Sequence, residues 1–152
     1  MKKLGCMFLI LCSLLLTSCS TNGYERDTRE GTIKRLTLNE MWEKIELDES
    51  FAVSFTQEMC GYCLDYHKML NTYLKNHNVT MYEVYLTAED RSQSENLEII
   101  HRYFPSFRAT PGIYYVSKGE AMNSLTEEKR EVTEKSFDEW VQKNKLDEKS
   151  EK

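Results

Sequence analysis

The chain has 152 residues, of which 40% are hydrophobic, 30% are charged and two are proline, and its formal net charge is −5. This length suits a targeting segment followed by one domain of ordinary size, and it excludes a second sizeable core. An acidic chain without a basic stripe argues against nucleic acid as a partner. The negative net charge needs no explanation beyond solubility.

Residues 1–18 are predicted to be a signal peptide. Lys2 and Lys3 give a positive start, and an almost entirely apolar run follows from Leu4 to Leu16. The run is too short to span a membrane comfortably, and its plan is that of a secretory signal.

The end of this run predicts a lipid anchor. The four residues Leu-Thr-Ser-Cys at positions 16–19 resemble the bacterial lipobox, so we expect cleavage after Ser18 and lipidation of Cys19. The alternative is an ordinary secretory signal with a chance cysteine. Residues 19–30 are polar and are predicted to be the lipidated N-terminus and a flexible tether.

If Cys19 carries a lipid, only two of the five cysteines remain as free thiols in the mature chain. Cys6 and Cys12 would leave with the signal, and Cys19 would be blocked as a thioether. Cys60 and Cys63 would then be the free thiols of a chain outside the cytosol, where disulfides persist.

Residues 31–146 are predicted to form one α/β domain, and residues 147–152 a frayed, charged tail. Hydrophobic periodicity and turn residues predict the element order β-α-β-α-β-α-β-β-α, and hence a mixed central sheet with helices on both faces. The predicted strands run from Thr32 to Leu36, Phe51 to Phe55, Thr80 to Leu86, Ile113 to Val116 and Ala121 to Leu125. The predicted helices run from Leu38 to Glu46, from Cys60 to Asn76, from about Leu97 to Tyr103 and from Thr133 to Lys145.

The predicted second strand is followed by the sequence Cys60-Gly61-Tyr62-Cys63. The thiols of its two cysteines would lie about one helical turn apart. Such a pair can form and break a disulfide. A cysteine at a helix N-terminus has a lowered pKa because unpaired N–H groups and the helix dipole stabilise its thiolate. The spacing alone does not say which cysteine attacks.

From Thr32 to Lys145 the chain resembles the thioredoxin superfamily. Three features carry the resemblance in order: the strand entering the Cys-Gly-Tyr-Cys motif, a Thr110-Pro111 loop before the fourth strand, and a hairpin at Lys118-Gly119-Glu120 followed by a last helix. The resemblance implies a thioredoxin-like fold with four to five strands and no cofactor.

The resemblance also implies roles for the site residues. Cys60 would be the attacking nucleophile and Cys63 the resolving thiol of a redox-active disulfide. Thr110 and a cis Pro111 would lie against the pair and bind an extended substrate segment, with Gly61 and Tyr62 beside it.

Three positions depart from the family's pattern. Met59 replaces the usual tryptophan, Tyr62 replaces the usual proline, and Ser54 stands where many thioredoxins carry a buried acid that handles the proton of the resolving cysteine. These departures leave the direction of electron flow open.

The leading hypothesis is a membrane-anchored, extracytoplasmic thiol-disulfide oxidoreductase that acts as a monomer on the thiols and disulfides of exported proteins or peptides. The chain is similar to small thioredoxin-like accessory lipoproteins of Gram-positive bacteria, some linked to bacteriocin export, and a membrane redox partner is an open option. Two other classes remain: a redox-inactive binding module that uses the Thr110-Pro111 loop, and a metal carrier built from Cys60, Cys63, His67 and His101.

Overall fold

The computed structural model describes residues 23–150, which contain five strands and four α-helices. The strands are β1 (Thr32–Leu36), β2 (Phe51–Thr56), β3 (Thr80–Tyr85), β4 (Gly112–Ser117) and β5 (Glu120–Ser124). The helices are α1 (Leu38–Glu46), α2 (Gly61–Tyr73), α3 (Gln93–Tyr103) and α4 (Glu134–Lys143), with short 3₁₀ helices at Leu74–Asn76 and Leu86–Ala88. Within the described residues, no helix combines the length and the apolar character that a membrane span requires.

The strands form one mixed sheet in the order β1-β3-β2-β4-β5. β1 and β2 both pair in parallel with β3, whereas β4 is antiparallel to β2 and β5 is antiparallel to β4. The parallel pairings require crossover connections, which α1 and α2 supply. The predicted α/β class with a mixed sheet is confirmed.

β2 lies in the middle of the sheet, and all six of its residues are buried. Its alternate side chains point to opposite faces of the sheet, where they join two hydrophobic clusters of the same domain. Phe51, Val53 and Phe55 pack with residues of α1 and α3, whereas Ala52 packs with residues of α2 and α4. Ser54 and Thr56 share the face of Ala52, so they point toward the layer that contains α2.

Capping boxes start three of the helices and explain where they begin. Thr37 and Glu40 cap α1, Ser92 and Glu95 cap α3, and Thr133 caps α4. The predicted strands match the observed ones to within one residue at each end. α3, however, begins at Gln93 rather than near Leu97, because its Ser92 cap satisfies the backbone of a polar first turn.

Both ends of the described chain are packed, although the sequence predicts a tether up to residue 30 and a tail from residue 147. Tyr24 and Asp27 are buried, and Asp147 is 0% exposed. Arg26 joins the two ends: its guanidinium forms ion pairs with Asp147 at 2.7 Å and with Asp138 of α4 at 2.6 Å. Hydrogen bonds to groups far away in sequence hold these segments, and such contacts leave no local pattern. The predicted signal and Cys19 lie outside the described residues.

Candidate functional site

The cysteine pair follows the C-terminal end of β2 at the centre of the sheet. The connection ends at Met59, whose backbone has a positive φ of 54° and whose side chain is fully exposed. This left-handed conformation is uncommon for a residue other than glycine. Cys60 follows Met59 as the N-cap residue, and α2 begins at Gly61.

Cys60 is the N-cap residue of α2. Its Sγ accepts a hydrogen bond from the backbone N–H of Cys63 at 3.1 Å. The first turn of a helix carries unpaired N–H groups and the positive end of the helix dipole, and both stabilise a nearby anion. When the pair is reduced, this position favours a thiolate on Cys60.

Cys60 and Cys63 are joined by a disulfide with an S–S distance of 2.12 Å and a Cα–Cα distance of 5.2 Å. The two sulfurs differ in accessibility: Cys60 is partly exposed, whereas Cys63 is only 2% exposed. A thiolate that arrives from solvent therefore reaches Cys60 first. The roles of Cys60 as the attacking thiol and Cys63 as the resolving thiol stay predictions, and this difference in accessibility is the geometry on which they rest.

The Thr110-Pro111 loop lies against Cys60, as the resemblance implies, and the peptide bond between its two residues is cis. Cys60 Sγ is 3.6 Å from the carbonyl oxygen of Thr110 and 3.5 Å from Thr110 Oγ1. Pro111 has no backbone N–H, so it places no amide donor beside the sulfurs. The residues predicted to bind substrate, including the exposed Gly61 and Tyr62, thus surround the same sulfur.

Gly112 holds this loop close to the core. A Cβ atom at this position would lie 2.5 Å from the ring of Phe107, which is buried. Only glycine lets the start of β4 approach Phe107 this closely. Through this packing, Phe107 fixes the position of Pro111 and Thr110 opposite the cysteine pair.

Two recesses share Gln57 and Glu58 in their linings, and one of them includes Cys60 while the other includes Thr110. The first, here called the α2 recess, has a volume of about 480 Å³ and is lined among others by Arg35, Met59, Cys60, Cys63, Leu64 and His67. The second, here called the Thr110 groove, has a volume of about 640 Å³ and is lined among others by Leu86, Asn96, Phe107, Arg108, Thr110 and Arg130.

Three apolar side chains stand exposed around the motif. Met59, Tyr62 and Leu64 belong to the few large hydrophobic residues that solvent reaches in residues 23–150. The guanidinium of Arg130 lies over the ring of Tyr62, with 4.9 Å between the carbon atom Cζ and the ring centroid. Together the three side chains form an exposed apolar rim at the start of α2.

A buried carboxylate lies beside the site, and the sequence analysis missed it. Glu83 of β3 is 4% exposed and is the register partner of Ser54 on β2. Its Oε1 accepts hydrogen bonds from Thr56 Oγ1 at 2.8 Å and from His67 Nε2 at 2.5 Å, and its Oε2 pairs with Arg35 at 3.3 Å. The available signal was the alternation of β3, which puts Glu83 on the same face as the buried Met81.

Glu83 is ionised in this environment. Burial opposes its charge, but the hydrogen bonds from His67 and Thr56, together with the positive charge of Arg35, outweigh burial, so the pKa of Glu83 lies below its ordinary value. Beside it, Tyr66 is fully buried, and burial raises the pKa of its hydroxyl. That hydroxyl has no hydrogen-bond partner among the described residues.

The cluster that would make a metal carrier does not assemble. His101 Nε2 contacts the carbonyl oxygen of Phe107, and His67 contacts Glu83. Across residues 23–150, no group of three or more His, Cys, Asp and Glu side chains is arranged to hold a metal ion.

Comparisons with known proteins give the fold. No protein-family model matches the chain, and no curated protein sequence does. The structure is similar to a point mutant of a thioredoxin from Halobacterium salinarum NRC-1, with a TM-score of 0.51 and 14% identity over 78% of this chain and 95% of that one.

Two further similar structures have TM-scores just under 0.5. The oxidised thioredoxin of Plasmodium falciparum has a TM-score of 0.49 and 18% identity over 74% of this chain and 98% of that one. An uncharacterised thioredoxin-like protein from Clostridium perfringens has a TM-score of 0.48 and 15% identity over 88% of this chain and 91% of that one. The strand order, the helices on both faces and the likeness to the Halobacterium structure lead to one conclusion: the domain has the thioredoxin-like fold.

Proposed function

We propose that this protein is a thiol-disulfide oxidoreductase that exchanges disulfides with exported proteins or peptides. The observation that carries the proposal is the disulfide at the start of α2, whose outer sulfur, Cys60, is accessible while its inner sulfur, Cys63, is shielded. The carbonyl oxygen of Thr110 beside Cys60 completes a site for an extended substrate segment.

In the oxidising direction, a substrate thiolate attacks Cys60 Sγ. The Cys60–Cys63 bond breaks, a mixed disulfide forms between the substrate and Cys60, and Cys63 leaves as a thiolate. A second substrate thiolate then attacks the substrate sulfur of the mixed disulfide and releases the Cys60 thiolate. The substrate loses two electrons, and the cysteine pair gains them.

In the reducing direction the same steps run backwards. The Cys60 thiolate, stabilised at the N-terminus of α2, attacks a substrate disulfide, and one substrate sulfur leaves as a thiolate. Cys63 then loses its proton and attacks Cys60 Sγ, which releases the second substrate thiolate and restores the disulfide.

The surface around Cys60 supports the proposal that the substrate is a polypeptide. The Thr110 groove can receive an extended segment on one side, and exposed Met59 and Leu64 offer apolar contacts on the other. Gly61 lies in the exposed first turn of α2, and apart from its chain neighbours and the helix backbone nothing lies within 4 Å of the position where its Cβ would be. A substrate sulfur can therefore approach Cys60 without moving the first turn of α2.

We also propose that the protein works at the outer face of a membrane, held by a lipid on Cys19. The support is the sequence pattern at the N-terminus. Labelling with a radioactive fatty acid tests this: the full-length protein should take up the label and sediment with membranes, and the Cys19→Ser variant should do neither. An unlabelled full-length protein would contradict the anchor and leave the redox chemistry untouched.

Two assays test the proposed activity: reduction of insulin with dithiothreitol as electron donor, and refolding of scrambled ribonuclease. The wild type should accelerate at least one of them, and the Cys60→Ser variant should be inactive in both. As a control for folding, the thermal unfolding curve of the variant should match that of the reduced wild type, since neither has the disulfide. Inactivity of the wild type in both, with a disulfide that cannot be cycled, would leave the fold as a redox-inactive binding module.

The reduction potential of the Cys60–Cys63 pair decides the direction. The pair is equilibrated with thiol-disulfide buffers, and its reduced fraction is measured by alkylation. A potential near about −270 mV assigns a reductant, and one near about −120 mV assigns an oxidant.

A further inference from the structure

Cys63 poses a proton-transfer problem that its surroundings define. It is 2% exposed, so bulk water does not reach its sulfur freely. Yet in either direction of disulfide exchange Cys63 changes between thiol and thiolate, because only the thiolate attacks or leaves. A group inside the protein that accepts and returns this proton would remove the barrier.

His67 is placed to be that group. It follows Cys63 by four residues on α2, so both side chains lie on the same face of the helix, and both line the α2 recess. Its Nε2 is hydrogen-bonded to Glu83 Oε1. The other ring nitrogen, Nδ1, has no hydrogen-bond partner among residues 23–150, so its lone pair is free once Nε2 carries the hydrogen.

Glu83 holds the imidazole in this state. Its carboxylate is buried, is fixed by Thr56 from β2, and faces the helix layer from the middle of the sheet. An acceptor at Nε2 selects the tautomer with its hydrogen on that nitrogen. The negative charge of Glu83 also compensates the positive charge that His67 acquires when it takes a proton.

We propose that His67, oriented by Glu83, accepts the proton of Cys63 when Cys63 attacks and returns it when Cys63 leaves. This inference rests on the proposed disulfide exchange at Cys60 and Cys63. His67 is the proton acceptor, and Glu83 is a positioning residue that acts through it. Ser54 of β2 is uncharged and unsuited to accept the proton of Cys63. His67 of α2 and Glu83 of β3 handle this proton instead.

The step balances in atoms and charge. The Cys63 S–H proton moves to His67 Nδ1, directly or through water in the recess, and the imidazole becomes an imidazolium. The Cys63 thiolate attacks Cys60 Sγ, the bond between Cys60 and the substrate breaks, and the substrate leaves as a thiolate. The imidazolium then releases its proton to solvent. In the oxidising direction Cys63 leaves as a thiolate and takes the proton back, so the inference holds whichever way electrons flow.

Several charged or titratable groups face the pair. Arg35 of β1 contacts Glu83 from the outer side, and the hydroxyl of Tyr66 lies on the same helix as His67. Glu58 lines the α2 recess as well and is the rival proton acceptor. It is exposed in the connection after β2.

A two-step reaction with Ellman's reagent separates the two cysteines. Reduced protein is mixed with one equivalent of the reagent. Attack by Cys60 releases one coloured thiolate in a second-order phase, and attack by Cys63 on the resulting mixed disulfide releases another in a first-order phase. The Cys63→Ala variant should show the first phase alone, which assigns the second.

His67→Gln should slow the first-order phase about 10²-fold at neutral pH and leave the second-order phase unchanged, since a general base contributes factors of this size. The first-order rate of His67→Gln should rise about tenfold per pH unit, because hydroxide must then generate the Cys63 thiolate.

Glu83→Gln should slow the first-order phase by about tenfold, because the charge is lost and an acceptor for His67 is retained. Free imidazole should restore the phase in His67→Ala, since the recess then has room for it.

Two controls make the result decisive. His101→Gln removes an imidazole on α3 without touching the recess and should leave both phases unchanged. A first-order phase that keeps its rate and pH profile in both His67→Gln and Glu83→Gln would overturn the inference, and so would slowing in Glu58→Gln alone. A wild type that fails in the insulin and ribonuclease assays would instead contradict the proposed function, which is a separate result.

Discussion

Ser54 and Glu83 are register partners on β2 and β3, and both are buried, but only Glu83 is charged. The ionisable group of this part of the sheet therefore belongs to β3. From there it reaches His67 on α2 and Arg35 on β1. A carboxylate in this position links the centre of the sheet to the helix that carries both cysteines.

Glu83 should make the folded state sensitive to acid. Its pKa is lowered in the folded state, so its stabilising contribution is complete above the ordinary glutamate value of 4.5 and is lost as the pH falls through the folded value. Urea unfolding should show that the wild type loses stability more steeply below that pH than Glu83→Gln does. At neutral pH the variant should be less stable by about 1–3 kcal/mol, because hydrogen bonds to a buried charge are lost. Parallel pH curves for the two proteins would contradict this assignment.

Cys63→Ala should accumulate a covalent complex with its substrate. Without a resolving thiol, the mixed disulfide on Cys60 can be released only by an external thiol. Non-reducing gel electrophoresis of cell extracts should show a higher band that dithiothreitol removes. Cys60→Ala should give no such band, and a complex formed through Cys63 in that variant would reverse the assigned roles.

Leu64→Ser should weaken the reaction with protein substrates. Leu64 is 60% exposed beside the sulfurs, so the substitution removes an apolar contact without opening the core. The loss of apolar area should lower kcat/KM for insulin by about 3- to 10-fold and leave the rate with a small disulfide unchanged. Leu47→Ser is the matched control, since Leu47 is 71% exposed at the end of α1 and should have no effect on either rate. Equal effects of the two variants would remove Leu64 from the docking surface.

Arg26→Gln should destabilise the whole domain. It removes two ion pairs and leaves Asp147, which is 0% exposed, with its contacts to Tyr24 and His77 but without the guanidinium. Breaking a pair with a buried member costs about 3–5 kcal/mol, which should lower the midpoint of urea unfolding clearly. Lys135→Gln breaks a pair in which both side chains are mostly exposed and should change stability by less than about 1 kcal/mol. A similar midpoint for the two variants would show that the network around Arg26 adds little.

Much of the fold could be predicted because its signals are local. A continuous apolar run predicted β2 as a central strand, and the Thr37 and Glu40 capping box placed the start of α1. The start of α3 was predicted too late, because its first turn is polar and only the cap at Ser92 marks it.

The site was predictable where one short motif carries the chemistry. Cys60 and Cys63 are recognisable from their spacing, the cis Thr110-Pro111 bond is implied by the resemblance, and the structure brings them together. Glu83 and His67 are 16 residues apart, and neither suggests the other until β3 is placed under α2. Arg26 and Asp147 are 121 residues apart, and no local pattern could have paired them.

The packing of Tyr24 against Asp147 also sets how far the domain can reach from an anchor. With a lipid on Cys19, four residues lie between the anchor and Tyr24, and the stretch from Cys19 to Tyr24 spans at most about 18 Å when it is fully extended. That distance is no longer than the domain's own dimensions, given a radius of gyration of about 13 Å for 100 residues. Cys60 would therefore stay within a thin layer over the bilayer, and polypeptides would be oxidised or reduced there, as they emerge from the membrane, rather than after diffusing away.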